Sequence, residues 1–427
     1  MKVKLLLAFL FFYSVGEASP PGYLYYKILT TQENQITVGT NDLFNYPVLV
    51  RLTNVDLKHT SSGGYIENIN GYDIVFTSAD GNTIIPHQLE RYDPVSGTLI
   101  CWVQIPVLSA TVNTNFYLYF SNSSISSDPS TTAVWDLNYR GVWHLNTVIN
   151  PPDFTSNGSD LTSFGTTNQS PAVIYDGEDF NPGQYLYRAP DANLQLNADL
   201  TLETWVRFSV FQANTLDNVL ISCGTLGVTS AENYHYKLNY IGTGGNINKL
   251  QLTWEYGNSL LVTNISTVAA PPGINIWHHI MVVRDPSIAP TGGLLFYFDG
   301  VQLGAPVLYT NPPDNGTSAS FQIGIDEPTS SRDIDGDFDE IRVSSSVRSP
   351  EWVQTTYVST LIGSTFITYG ASNCISTDIS NAGPDQTICS SGTTMAGNTL
   401  TVGSGFWTLV SGSGTITIPT SPTTGIT

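Results

Sequence analysis

The chain has 427 residues, with 35 acidic side chains against 15 basic ones and a formal charge of -20. That excess excludes nucleic acid and anionic membrane surfaces as partners, because both select for Lys and Arg. The length exceeds what one core fills and predicts about three domains.

Lys2 and Lys4 precede an apolar run from Leu5 to Val15, and Gly16, Ala18 and Ser19 follow. A basic start, a short apolar core and a small-residue exit predict a secretory signal peptide over residues 1–18, cleaved near Ser19. The run falls short of the about 20 residues that cross a bilayer. No later stretch is long enough, so the expected product is secreted or held at the cell surface, with no transmembrane segment in this chain. Composition predicts an all-β fold. Gly (37), Pro (24), Tyr (22) and Phe (18) are frequent while Met (3) is scarce, and strand formers alternate with turn residues. No long stretch carries a helical period.

From Gly22 onward, "NYPVLVRL" alternates as a strand, and "YDIVFTSADGNTIIPHQLERYD" predicts a hairpin closed by an Asp-Gly turn. "GTLICWVQIP" and "NTNFYLYFSN" are two further strands. The segments "FTSADGNTIIPHQLERYD", "CWVQIP" and "FYLYFSN", in that order, resemble an extracellular family known only as domain of unknown function 2341. The resemblance covers residues 22–135 and implies no activity. Between residues 138 and 370, "NIWHHIMVVRD", "GGLLFYFDGVQLG", "FQIGID" and "GDFDEIRV" follow one another. In that order they resemble the LamG-like branch of the concanavalin A-like lectin and glucanase superfamily. The resemblance implies a jelly-roll sandwich within a chain of tandem β-sandwiches. Residues 371–427, with "NAGPDQTICSSGTTMAGNTLTV", resemble the start of an Ig-like or PKD-like repeat, a fold that takes about 100 residues. The expectation is an incomplete repeat in a chain that continues.

Four cysteines in an exported chain allow three pairings. Cys374 and Cys389 are near enough in sequence to close a small loop, whereas Cys101 and Cys223 lie in different segments and read as buried thiols. No Cys or His spacing indicates zinc.

The densest chemistry is "RDIDGDFDEIRV", which gathers Asp333, Asp335, Asp337, Asp339 and Glu340. Strict alternation would place Asp337, Asp339, Ile341 and Val343 on one face and Phe338, Glu340 and Arg342 on the other. It turns Asp339 inward and leaves Glu340 and Arg342 as a solvent pair worth under about 1 kcal/mol. Three readings are open. Asp339 accepts backbone hydrogen bonds while its neighbours face water. Alternatively Asp333, Asp335, Asp337 and Asp339 supply oxygens to a structural Ca²⁺, with Gly336 at the bend. In the third, Asp335, Asp337 and Asp339 stand in for the Glu-x-Asp-x-Glu strand that the superfamily resemblance implies for glucanases.

His278 and His279 are adjacent on one strand and point to opposite faces, which excludes a shared metal. Trp254, Tyr256, Tyr185 and Tyr187 are the candidate ligand-binding aromatics. Exposed, they stack on a sugar; enclosed, they are core. The composite expectation is a non-catalytic binding protein whose LamG-like sandwich recognises an extracellular glycan or protein. The alternatives are a glycoside hydrolase or its accessory module, and a purely structural stalk.

Overall fold

The computed structural model describes residues 19–147, 149–210, 218–224, 234–257, 260–314, 318–326, 333–375, 381–384, 386, 391–399, 406–409 and 413–427. The sequence-predicted signal peptide, Cys389 and part of the expected C-terminal repeat lie outside these residues.

Two sandwiches built from four antiparallel sheets dominate the chain. The first pairs a five-stranded sheet with a three-stranded one. In the five-stranded sheet, Ile367–Tyr369, Tyr25–Thr31, Asn115–Phe120 and Val75–Thr77 lie side by side, and Asn373–Cys374 also joins Tyr25–Thr31. The three-stranded sheet runs Leu43–Thr53, Thr98–Leu108, His87–Asp93. The expected Asp-Gly turn forms, with Asp80 accepting from the backbone N–H groups of Asn82 and Thr83 at 2.9 and 2.8 Å. The strands it was expected to pair part company, however. Val75–Thr77 stays in the larger sheet and His87–Asp93 crosses to the smaller one. Only a single bridge, Thr77 to Ile84, survives of the hairpin.

The second sandwich faces a nine-stranded sheet against a seven-stranded one. In the former, Trp277–Asp285, Leu200–Val210, Asp335–Ser344 and Gly177–Phe180 are successive neighbours, and Tyr139–Trp143 also pairs with Asp335–Ser344. The seven-stranded sheet runs from Leu260–Ile265 through Leu250–Tyr256, Tyr234–Tyr240, Asn218–Gly224, Ser320–Ile323 and Tyr185–Arg188 to Thr162–Phe164. Between them lies a core that includes Leu202, Val206, Phe208, Tyr236, Leu252, Trp254, Phe338, Ile341 and Val343.

The two sandwiches share buried surface. In the three-stranded sheet, consecutive residues Leu99, Ile100, Cys101, Trp102 and Val103 are all buried. A strand reads that way only when both of its faces are covered. One face packs within the first sandwich and the other against the second, so one apolar cluster runs from Leu29 and Phe76 to Trp205 and Val142. The helix Pro350–Thr360 fills the remaining space, with Ser349 capping its first turn through the Trp352 N–H and Pro350 at its start. Tyr46 of the first sandwich donates to Thr356 Oγ1 on this helix at 3.1 Å. Beyond residue 381, Thr393–Thr394 pairs with Gly425–Ile426 over a small cluster of Met395, Trp407 and Ile426.

Candidate functional site

The Asp-rich strand departs from simple alternation at one residue. Glu203 pairs with Arg342 and Trp205 with Asp339, so the single residue Thr204 faces both Glu340 and Ile341. This is a β-bulge, with Glu340 at φ +52°. The extra residue inverts the pattern beyond it. Phe338, Ile341 and Val343 all enter the jelly-roll core, whereas Asp339, Glu340 and Arg342 turn to the opposite face, toward the first sandwich. The expected grouping of Asp339 with Ile341 and Val343 is therefore corrected.

That face is closed. Glu340 and Arg342 were expected in solvent, yet both are buried and form part of an ionic chain. Arg342 donates through Nη1 to Glu203 Oε1 at 2.7 Å and through Nη2 to Glu340 Oε2 at 2.6 Å. Its guanidinium carbon lies 4.4 Å from the centre of Trp102 and 5.2 Å from Trp135. Glu340 Oε1 meets His144 Nδ1 at 2.6 Å. Across the junction Glu90 Oε2 accepts from Trp102 Nε1 at 2.8 Å and lies 3.8 Å from His144 Nδ1. Burial alone would depress His144, but the Glu340 and Glu90 carboxylates carry it above its ordinary value. Burial pushes Glu90 up to about 7 against the opposing pull of His144. Glu340 feels the same burial but falls below its usual range, because His144 and Arg342 outweigh it.

Among the described residues, Glu90, His144 and Glu340 are the set of three potential ligands whose donor atoms fall within 4.8 Å of one another. A tetrahedral zinc shell does not match their spacing. Two ligands bonded at about 2.0 Å in a tetrahedral shell stand roughly 3.3 Å apart, whereas His144 and Glu340 meet at 2.6 Å, a charge-assisted hydrogen bond.

The aspartates expected to act together are separated by their partners. Asp337 accepts from Arg207 Nε at 2.6 Å, and burial raises its carboxyl more than Arg207 lowers it. Asp339 accepts from the Ile174 N–H at 2.9 Å, and burial followed by the Glu340 charge holds it well above the usual carboxylate range. Asp333 takes the Gly183 N–H at 2.5 Å. Asp335 is only half-buried, and burial together with Asp179 and Asp333 raises it. Gly336 is not a bend. It sits in the strand opposite Phe208 and Phe180, where a Cβ would stand 2.3 Å from the Arg207 carbonyl oxygen. Asp337 and Asp339 are enclosed, so neither reaches a dissolved polysaccharide.

The adjacent histidines do face opposite ways. His278 Nδ1 lies 2.8 Å from Asp299 Oδ2, while His279 Nε2 lies 3.5 Å from Glu203 Oε1.

The aromatic candidates divide. Trp254 belongs to the core: its side chain is fully buried, its indole donates to the Asn311 carbonyl at 2.9 Å and Tyr309 packs edge-on at 5.1 Å. No ring face is left for a sugar, which corrects that expectation. Tyr256 is half-buried at its strand's end, opposite Leu260. Tyr185 and Tyr187 flank the inward Leu186 and project from the outer face of the seven-stranded sheet. There they meet Phe164, which sequence reasoning missed. Phe164 stacks on Tyr185 at 4.6 Å and 7°, and Tyr187 meets it edge-on at 6.1 Å. Its own strand has three residues, too short to register as a period, yet the ring is 44% exposed.

Comparison with known proteins agrees with this architecture. Residues 176–354 match the family model of the concanavalin A-like lectin/glucanases superfamily, and residues 70–142 match a domain of unknown function, DUF2341. No curated protein sequence matches the chain. Similar solved structures include domain 4 of AbnA, an extracellular arabinanase from Geobacillus stearothermophilus, in complex with arabinotriose. It is 16% identical with a TM-score of 0.38, over 51% of this chain and 97% of that one. The binding domain of Paraclostridial Mosquitocidal Protein 1 is 12% identical with a TM-score of 0.39, over 52% of each chain. The receptor binding domain of botulinum neurotoxin D is 12% identical with a TM-score of 0.38, again over 52% of each. The chain thus spans about half the length of the two toxin domains. No described helix is long and apolar enough to cross a membrane.

Proposed function

We propose that this chain is a secreted or cell-surface binding protein that holds an extracellular glycan on the outer edge of its second sandwich. The observation that carries the reading is the cluster of Phe164, Tyr185 and Tyr187. Its rings are partly exposed on the edge strand Thr162–Phe164 and the strand beside it, Tyr185–Arg188, while the opposite sheet of the same sandwich is consumed by packing against the first. Aromatic faces bind sugars through the apolar side of the ring, and a cluster offers several orientations. The first sandwich serves as a rigid mount, since the shared core ties the two together. The ionic chain at the junction stabilises that mount and takes no part in bond cleavage.

A glycan array probed with the whole chain tests the reading. Binding that falls at least about tenfold in Phe164→Ala and Tyr187→Ala is expected, a loss of about 1.4 kcal/mol. If neither neutral nor acidic glycans are retained, the glycan assignment fails and an extracellular protein ligand takes its place. Structural Ca²⁺ belongs to the same proposal, narrowed to Asp333 and Asp335 with Asp179 nearby. Added Ca²⁺ should raise the melting temperature by binding the folded state alone. An unchanged melting temperature removes the ion.

A further inference from the structure

The first sandwich contains a cleft of about 560 Å³, within the range that holds small ligands. Its walls come from distant parts of the chain. Tyr25 and Lys27 stand on the strand Tyr25–Thr31, Asp56 and Tyr65 on the loops beyond Leu43–Thr53, and Tyr369 and Ser372 on the segment returning from the second sandwich. The cleft therefore exists only where that segment has paired with Tyr25–Thr31, as it does through Leu29 to Tyr369 and Tyr25 to Cys374.

Its chemistry is aromatic on the walls and ionic on the floor. Tyr25 and Tyr65 stack at 4.3 Å and 16°, with Tyr65 41% exposed. Tyr369 is pinned at its hydroxyl, which accepts from the Arg51 N–H at 3.1 Å and donates to the Arg51 carbonyl at 3.0 Å. Lys27 is 1% exposed and its ammonium has one partner among the described residues, Asp56 Oδ2 at a long 3.4 Å. The same Oδ2 accepts from Ser372 Oγ at 2.6 Å. Asp56 Oδ1 has no partner among the described residues, and the Lys27 ammonium retains two unused hydrogens. A buried ammonium left so poorly satisfied costs stability unless something completes its shell.

We propose that this cleft is a second, separate ligand site and that it takes a neutral saccharide. One cation and one anion leave the floor without net charge, which disfavours phosphates and nucleotides. The ionic floor equally disfavours a purely apolar guest. Sugar hydroxyls supply both what the floor lacks: an oxygen lone pair for the Lys27 ammonium and a hydroxyl hydrogen for Asp56 Oδ1. The sugar's C–H face covers the exposed ring of Tyr65.

Isothermal titration of the whole chain with maltotriose, cellotriose, xylotriose and N-acetylchitotriose tests the assignment. At least one trisaccharide is expected to bind, with affinity falling about tenfold or more in Tyr65→Ala and Asp56→Asn. The same affinity should survive Tyr187→Ala, which separates this cleft from the edge of the second sandwich. Tyr65 is exposed, so Tyr65→Ala keeps its fold and decides the matter should Asp56→Asn melt early. Failure of all four sugars to bind, binding indifferent to Tyr65→Ala, or binding lost only in Tyr187→Ala would each overturn the proposal.

Discussion

The junction between the sandwiches and the cleft of the first are made from the same parts. Each sets a buried cation beside carboxylates and aromatic rings. At the junction Arg342 spends its donors on Glu203 and Glu340 beneath Trp102 and Trp135. In the cleft Lys27 has, among the described residues, Asp56 alone, at 3.4 Å. Two short charge-assisted bonds make the first a structural lock, although Arg342 Nε and Glu90 Oε1 are left without partners among the described residues. Incompleteness makes the second a place for a ligand. The difference lies in the number of satisfied donors and in what covers them, since residue type is nearly the same.

The largest effect expected is at the lock. Arg342→Met removes the short ion pair of buried Glu203 and leaves Glu340 with His144 alone, and should cost about 3–5 kcal/mol, read from the shift in urea midpoint. A cost no greater than that of Lys27→Met would erase the contrast.

Next comes pH. Glu178 is fully buried and neither oxygen makes a well-formed hydrogen bond. Burial pushes its carboxyl up to about 8, with the Thr166 hydroxyl offsetting little. A carboxyl raised in the folded state retains its proton while the unfolded chain loses it. Its stability contribution is complete below about 4.5, the unfolded value, and is lost as pH climbs through about 8. Glu90 and His144, both raised, act with the same sign at the junction. The melting temperature should therefore fall from pH 5 to pH 8.5. Glu178→Gln should flatten that slope, gaining on the order of a few kcal/mol at the alkaline end and little at pH 5. Parallel pH profiles for the two proteins would discard this account.

A smaller loss tests the mount itself. Tyr46→Phe removes the buried hydrogen bond to Thr356 and should cost about 1 kcal/mol in the same urea assay. No loss would mean that the helix is held by its apolar contacts and its other polar partners, such as Asn41 on Glu351 and Trp205 on Thr360. The smallest effect is expected at the cleft, where Lys27→Met should change stability by under about 1 kcal/mol because the ion pair it breaks is long and its partner partly exposed. A loss as large as that at Arg342 would make Lys27 part of the scaffold.

Much of the architecture was legible because strands announce themselves by alternation and by their turns. The opposite orientations of His278 and His279 followed directly from a period of two. The helix Pro350–Thr360 went unread even though "SPEW" carries a capping serine followed by proline. It is buried around most of its circumference, including Thr355, Thr356, Ser359 and Thr360, so it has no polar stripe to mark a helical period. The expected hairpin failed for a comparable reason. Asp80 and Gly81 specify a turn, but which sheet His87–Asp93 joins depends on residues far along the chain.

The candidate sites were less legible still. Trp254 looks the same in sequence whether it faces a sugar or a core, and burial against Tyr309 decided it. The cleft joins Tyr25 and Asp56 to Tyr369 and Ser372, and no local pattern spans such separations.

By itself, the amino-acid sequence determined that this chain is built of strands and carries an acidic segment beside Arg342, because both follow from side-chain type and spacing over a few residues. Only the tertiary structure decided which way that segment faces and what covers it. One extra residue at Glu340 reverses the alternation, and the first sandwich then encloses the reversed face, converting carboxylates that read as a surface into the interior of a joint.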